Sequence, residues 1–153
     1  MIKEGVKLLG KNRKAYHEYF VDESIECGLA LQGTEVKSIR KAHFNFSDSY
    51  ARIRGGELWL LGFHINPFAQ GNMNNHEPDR DRKLLIHSVE REKLRKKVDE
   101  KGYTLVPLSL YLKNGLIKLE LGVCKGKKNY DKRQVIKQKD LKRETDRELR
   151  GRG

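Results

Sequence analysis

The stretch TLVPLSLYLKNGLIKLELGV, residues 104–123, decides the fold. Thr104, Val106, Leu108, Leu110 and Leu112 recur at every second position. Asn114-Gly115 follows, and Ile117, Leu119, Leu121 and Val123 resume the alternation. A period of two sends successive side chains to opposite faces, so each arm reads as a strand with one buried face. Asn-Gly between two such arms favours a two-residue turn in which both central residues take positive φ. The stretch therefore predicts an antiparallel hairpin. Pro107 cannot donate to a ladder, which places it at an edge or a bulge.

The same period recurs upstream. Ile25, Cys27, Leu29 and Leu31 alternate with Glu26, Gly28, Ala30 and Gln32. Residues 50–54 and 57–65 flank Gly55-Gly56 and read as a second hairpin, with Trp59, Leu61, Phe63 and Ile65 on one face. Two helices interrupt the strands. Thr34 is suited to cap EVKSIRKA, with Val36 and Ile39 facing the core. Ser88 is suited to cap VEREKLRKKVDEK, which carries early acids, later bases and a stop at Gly102. Leu94 and Val98 give it a narrow apolar stripe. Many strands, few helices and no repeated βαβ order predict a mainly β protein, an antiparallel barrel with two to three attached helices.

After Val123 the apolar alternation stops. Residues 125–153 hold twelve Lys/Arg against five acids, +7 of the chain's net +12. Val135, Ile136, Leu141 and Leu149 are too few to offset the entropy of ordering the segment. Residues 131–150 contain neither Gly nor Pro and tolerate a helix. The expected organisation is a barrel over 1–124, with 1–11 as an N-terminal extension. A basic tail over 125–153 is expected to be disordered when free and helical against a polyanion. A flexible solubilising tail fits the charge equally well.

With 153 residues the chain has room for one domain. Its charge balance points to a polyanionic partner, nucleic acid or an anionic membrane face. No apolar run approaches the roughly 20 residues of a membrane span, and no signal peptide is read. Cys27 and Cys124 form no CxxC pair. The five histidines show no metal spacing, and no phosphate-binding glycine loop or nucleophile elbow occurs. His76, Glu77, Asp79 and Asp81 lie close in sequence, but Arg80, Arg82 and Lys83 among them would repel a cation. The reading therefore assigns no catalytic residue, metal or cofactor. Tyr16, Tyr19 and Tyr130 among bases suit RNA or single-stranded nucleic acid, where cations meet phosphates and rings stack on bases. A ribosomal protein or a cold-shock-like binder fits as well, and a nuclease built on residues 76–83 is the catalytic alternative.

Six motifs in order carry a resemblance: NRKAYHEYF (12–20), GLALQGTEVKSIR (28–40), DSYARI (48–53), RKLL (82–85), GYTLVPLSLY (102–111) and KGKKNYDKR (125–133). Together they resemble the SsrA-binding protein (small protein B) family of bacterial trans-translation. The resemblance implies an OB-like barrel that binds the tRNA-like domain of transfer-messenger RNA (tmRNA). It further implies entry into stalled ribosomes, with the tail in the empty mRNA channel beside the small-subunit decoding centre. Elongation factor Tu and alanyl-tRNA synthetase would act in the same cytoplasmic pathway. The implied tmRNA face comprises Asn12 and Glu26, with Lys14, His17, Lys37, Arg40, Arg82 and Lys83 as phosphate contacts. Implied tail and ribosome contacts are Lys125, Gly126 as hinge, Lys127, Lys128, Tyr130, Asp131, Lys132, Arg133 and Leu149. Cys27 stands where the family commonly has Ala, and Leu149 alone stands for a late apolar pair.

Overall fold

The computed structural model describes residues 5–68 and 75–127. Its longest elements are the hairpin strands, β8 (Thr104–Lys113) and β9 (Leu116–Gly126). Asn114 and Gly115 turn between them at φ 51° and 81°, the pair of positive values that Asn-Gly favours. The other strands are β1 (Val6–Lys11), β2 (Tyr19–Leu29), β3 (Phe44–Asn45), β4 (Tyr50–Arg54), β5 (Glu57–Leu61), β6 (His64–Ile65) and β7 (Arg82–Leu85). The helices are α1 (Arg13–Glu18), α2 (Gly33–Arg40) and α3 (Ser88–Lys101).

Pairing runs β8-β4-β5-β7-β2-β9 and returns to β8, all antiparallel, so the sheet closes into a barrel. β1 continues the β4 edge of β8. Residues 6–11, read from sequence as an extension, are thus a strand of the sheet. β9 likewise outlasts the apolar alternation, with Lys125 opposite Phe20 and Gly126 opposite Tyr19. The boundary at 124/125 therefore cuts a strand, and Gly126 is ladder rather than hinge. The expected disorder and bound helix of the tail concern residues 128–153, outside the described residues.

The core joins Cys27, Leu58, Leu60, Phe63, Ile65, Leu84, Leu119, Leu121 and Val123 with Ile39 of α2 and Leu94 of α3. A smaller cluster outside the barrel wall joins Ala15 of α1 to Val106, Leu108 and Cys124. That second cluster explains why β8 is buried without a break from Leu105 to Leu110. The register shift between Pro107 and Ser109 is a bulge. It puts Leu105 and Leu110 in the main core while Val106 and Leu108 face α1, so the single face expected for this arm is two half-faces. Pro107 keeps its place opposite Leu121 next to the bulge, whose extra residue is Leu108, and its carbonyl accepts from the Asn12 amide.

Three local expectations change. Gly62 at φ +75° breaks residues 57–65, so the core side chains are Leu58, Leu60, Phe63 and Ile65. Trp59 instead lies under the Arg54 guanidinium, 4.8 Å from its ring centroid. α2 is capped from Gln32, whose backbone N–H donates to Glu35 Oε1 at 2.7 Å, while the Thr34 hydroxyl meets His76. In α3 the cap position is His87 and Ser88 is already helical. Gly102 ends α3 at φ +70°, as expected.

Candidate nucleic-acid interface

Two residues assigned to the RNA face are interior scaffolding. Arg82 is fully buried. Its Nε donates to Glu35 Oε2 at 2.7 Å, and its other nitrogens donate to the carbonyls of Phe63, Glu77, Pro78 and Arg80. No donor is left for a phosphate. Glu35, also fully buried, accepts a second guanidinium from Arg80 at 2.7 and 2.9 Å. Burial alone would raise its pKa, but the bonds from Arg80, the Gln32 backbone and Arg82 hold it below the ordinary carboxylate range. Asn12 is 6% exposed. Its amide donates to Pro107 O at 2.8 Å and its carbonyl accepts from Ala15 N at 3.2 Å. It caps α1 and fastens that helix to the β8 bulge, so it orders the surface from beneath.

The other assigned residues are at the surface, on α1, α2, β2 and β7. On α1, His17 is exposed, and Lys14 pairs with Asp48 at 2.6 Å. On α2, Lys37 lies over the Phe68 ring at 5.4 Å, and Arg40 donates to Gly115 O at 3.3 Å, which brings α2 to the hairpin turn. Lys83 pairs with Glu57 at 3.2 Å. Glu26 lies on the outer face of β2, as its alternation with Ile25 and Cys27 predicts. Tyr111 OH donates to its Oε1 at 2.6 Å and Lys113 Nζ lies 3.3 Å away. The Tyr111 bond chiefly holds the Glu26 carboxyl below the ordinary range, against the opposing effect of burial. An ionised carboxylate on a basic surface can accept from base amino groups and 2′-hydroxyls.

A second surface gathers where β9 ends beside α1. Lys127 Nζ lies 3.3 Å from Tyr16 O and 5.2 Å from the Phe20 centroid. Lys11 covers the Tyr16 ring at 4.7 Å and Lys125 covers Tyr103 at 4.9 Å. Ammonium groups over aromatic rings beside exposed lysines are the materials of phosphate contact and base stacking. Sequence reasoning found Tyr16. It placed Tyr19 with it, but Tyr19 packs into the smaller cluster. Phe20 and Tyr103 were missed; the signal available was their position just outside alternating runs. Tyr111 was missed because its partner lies 85 residues away. Lys128, Tyr130, Asp131, Lys132, Arg133 and Leu149 lie outside the described residues.

Two acids of the 76–83 stretch, Asp79 and Asp81, are engaged elsewhere. His64 donates to Asp79 at 2.7 Å and Arg54 to Asp81 at 3.1 Å. His76 Nε2 donates to Ile65 O at 2.9 Å, leaving Nδ1 to the Thr34 hydroxyl at 2.8 Å. Among the described residues no three His, Cys, Asp or Glu side chains are grouped to hold a metal ion. Burial pushes the thiol of Cys27 up to about 12 and that of Cys124 to about 11, so neither is a thiolate nucleophile at neutral pH.

A closed antiparallel barrel with basic, aromatic-studded outer surfaces defines a nucleic-acid-binding protein of the OB-like class. The SmpB protein family model matches residues 9–151. An SsrA-binding protein of Desulfitobacterium hafniense is 56% identical over the whole chain and 98% of its own length. One from Treponema denticola is 51% identical over the whole chain and 99% of its own length. A solved chain described as "tmRNA-SmpB: a journey to the center of the bacterial ribosome" superposes with TM-score 0.66 at 45% identity, covering 77% of this chain and 83% of that one. The chain belongs to the SmpB family of SsrA-binding proteins.

Proposed function

We propose that this chain binds the tRNA-like domain of tmRNA and brings it to stalled ribosomes for trans-translation. The observation that carries the reading is the likeness, across 77% of the chain, to a protein solved as tmRNA-SmpB of the bacterial ribosome. In this reading Glu26 accepts hydrogen bonds from the RNA, and Lys14, His17, Lys37, Arg40 and Lys83 meet its backbone. Asn12 and Arg82 serve the same face as scaffold. Lys125 and Lys127, with residues 128–153, reach the decoding centre and the vacant mRNA channel, where a segment of net positive charge suits walls of RNA phosphate. Elongation factor Tu and alanyl-tRNA synthetase supply the chemistry of the pathway in the cytoplasm, and the protein positions the RNA.

The test is reconstituted translation on an mRNA lacking a stop codon, with aminoacylated tmRNA present. Addition of the protein is expected to produce tagged peptide, and removal of residues 134–153 to abolish tagging while tmRNA binding persists. Equal tagging with and without the protein would overturn the reading.

A further inference from the structure

Beside the exit of β9, a recess of about 260 Å³ is lined by Phe20, Val21, Asp22, Tyr103 and Lys125. Among the described residues its walls are chiefly aromatic and aliphatic, and its rim carries one carboxylate and one ammonium. Phe20 is 44% exposed. Asp22 is the extra residue of a bulge in β2, because Val21 pairs with Cys124 and Glu23 already with Val123. A bulge re-aims the side chain it carries. Glu23 pairs with Lys97, whose ammonium also interacts electrostatically with Asp22. The recess thus brings aromatic side chains, a carboxylate and the Lys125 ammonium together, with Lys127 beside it over Phe20.

We infer that this recess is a subsite for a single unstacked RNA base carrying an amino group, read by Asp22, with Lys125 and Lys127 on the flanking phosphates. The inference rests on the RNA-binding reading and narrows it to one nucleotide. The lysine ammoniums lie over the Tyr103 and Phe20 rings in the free protein. An incoming nucleotide replaces each such contact with two, base on ring and ammonium on phosphate. A carboxylate accepts from amino groups on a base edge. Guanine offers two adjacent donors and fits best. Uracil places carbonyl oxygens against the carboxylate and fits worst.

The probes are the labelled pentaribonucleotides UUGUU and UUUUU, titrated by anisotropy at one fixed low salt. The wild-type chain is expected to bind UUGUU several-fold more tightly. Asp22→Asn is expected to erase that preference. Phe20→Leu is expected to weaken both probes about tenfold, within the range for losing one base–aromatic stack, and Phe20→Tyr to restore them. Equal wild-type affinity for both pentamers, or wild-type binding by Phe20→Leu, would overturn the subsite.

Phe20→Leu is then measured against the tRNA-like domain and against small ribosomal subunits. Loss with only one of them assigns the base to that RNA, and no loss with either overturns the proposal. A wild-type chain that shows the guanine preference yet does not favour tmRNA over ordinary tRNA leaves the subsite standing and overturns the tmRNA reading instead.

Discussion

Glu35 holds two guanidiniums at zero exposure, and Arg82 spends its donors on Glu35 and four carbonyls. Removing one partner leaves a buried charge unanswered, which costs about 3–5 kcal/mol. Glu35→Gln is therefore expected to lose about that much in urea unfolding at pH 7. Because the folded-state pKa of Glu35 lies below its unfolded value, its contribution is complete above about pH 4.3 and is lost as pH falls through the depressed value. The stability gap between wild type and Glu35→Gln should accordingly close in acid, and a gap that widens there would contradict the pairing. Glu26→Ala removes an exposed carboxylate instead; it should leave the melting temperature within a few degrees and weaken tmRNA binding at matched salt. The cysteines give a third check. Iodoacetamide at pH 8 should label neither in the native chain and both in denaturant, because each is fully buried.

Among elements, the β8–β9 hairpin carries the architecture, and its glycine at 122 marks how tightly the Leu108 and Cys124 side chains fill the space above it. A Cβ there would lie 2.7 Å from Leu108 Cδ1 and 2.9 Å from Cys124 Sγ. Gly122→Ala is expected to cost about 1–3 kcal/mol by overpacking, read as a lower denaturation midpoint with unchanged slope. The hairpin itself was legible because Asn114-Gly115 and the flanking alternation are local signals. The break at Gly62 was not: a single glycine inside an apolar run leaves the phase of the strand undecided, so Trp59 looked like core. Nor was α1, six residues long, visible by periodicity; its start depends on Asn12 reaching Pro107, 95 residues away. Arg82 was misassigned for a related reason. In a chain this basic, a buried arginine and a phosphate-binding one share the same letters, and only the tertiary fold brings Glu35 to it.

At the scale of the molecule, the barrel and the charge divide the work. Many surface lysines and arginines of the barrel are paired with acids, among them Lys14, Arg54, Lys83, Arg91, Arg95, Lys97 and Lys113. Residues 125–153 carry +7 of the net +12. Sequence-independent attraction should therefore come largely from that end of the chain and fall steeply with salt, while preference among RNAs comes from placed groups on the barrel. The most direct measurement is a titration of the full chain with the tRNA-like domain of tmRNA and with an ordinary elongator tRNA across a series of salt concentrations. The expected result is that both affinities fall with salt while the preference for the tRNA-like domain persists. Equal affinities that fall in parallel would mean that charge alone holds the RNA, and would contradict recognition by the barrel.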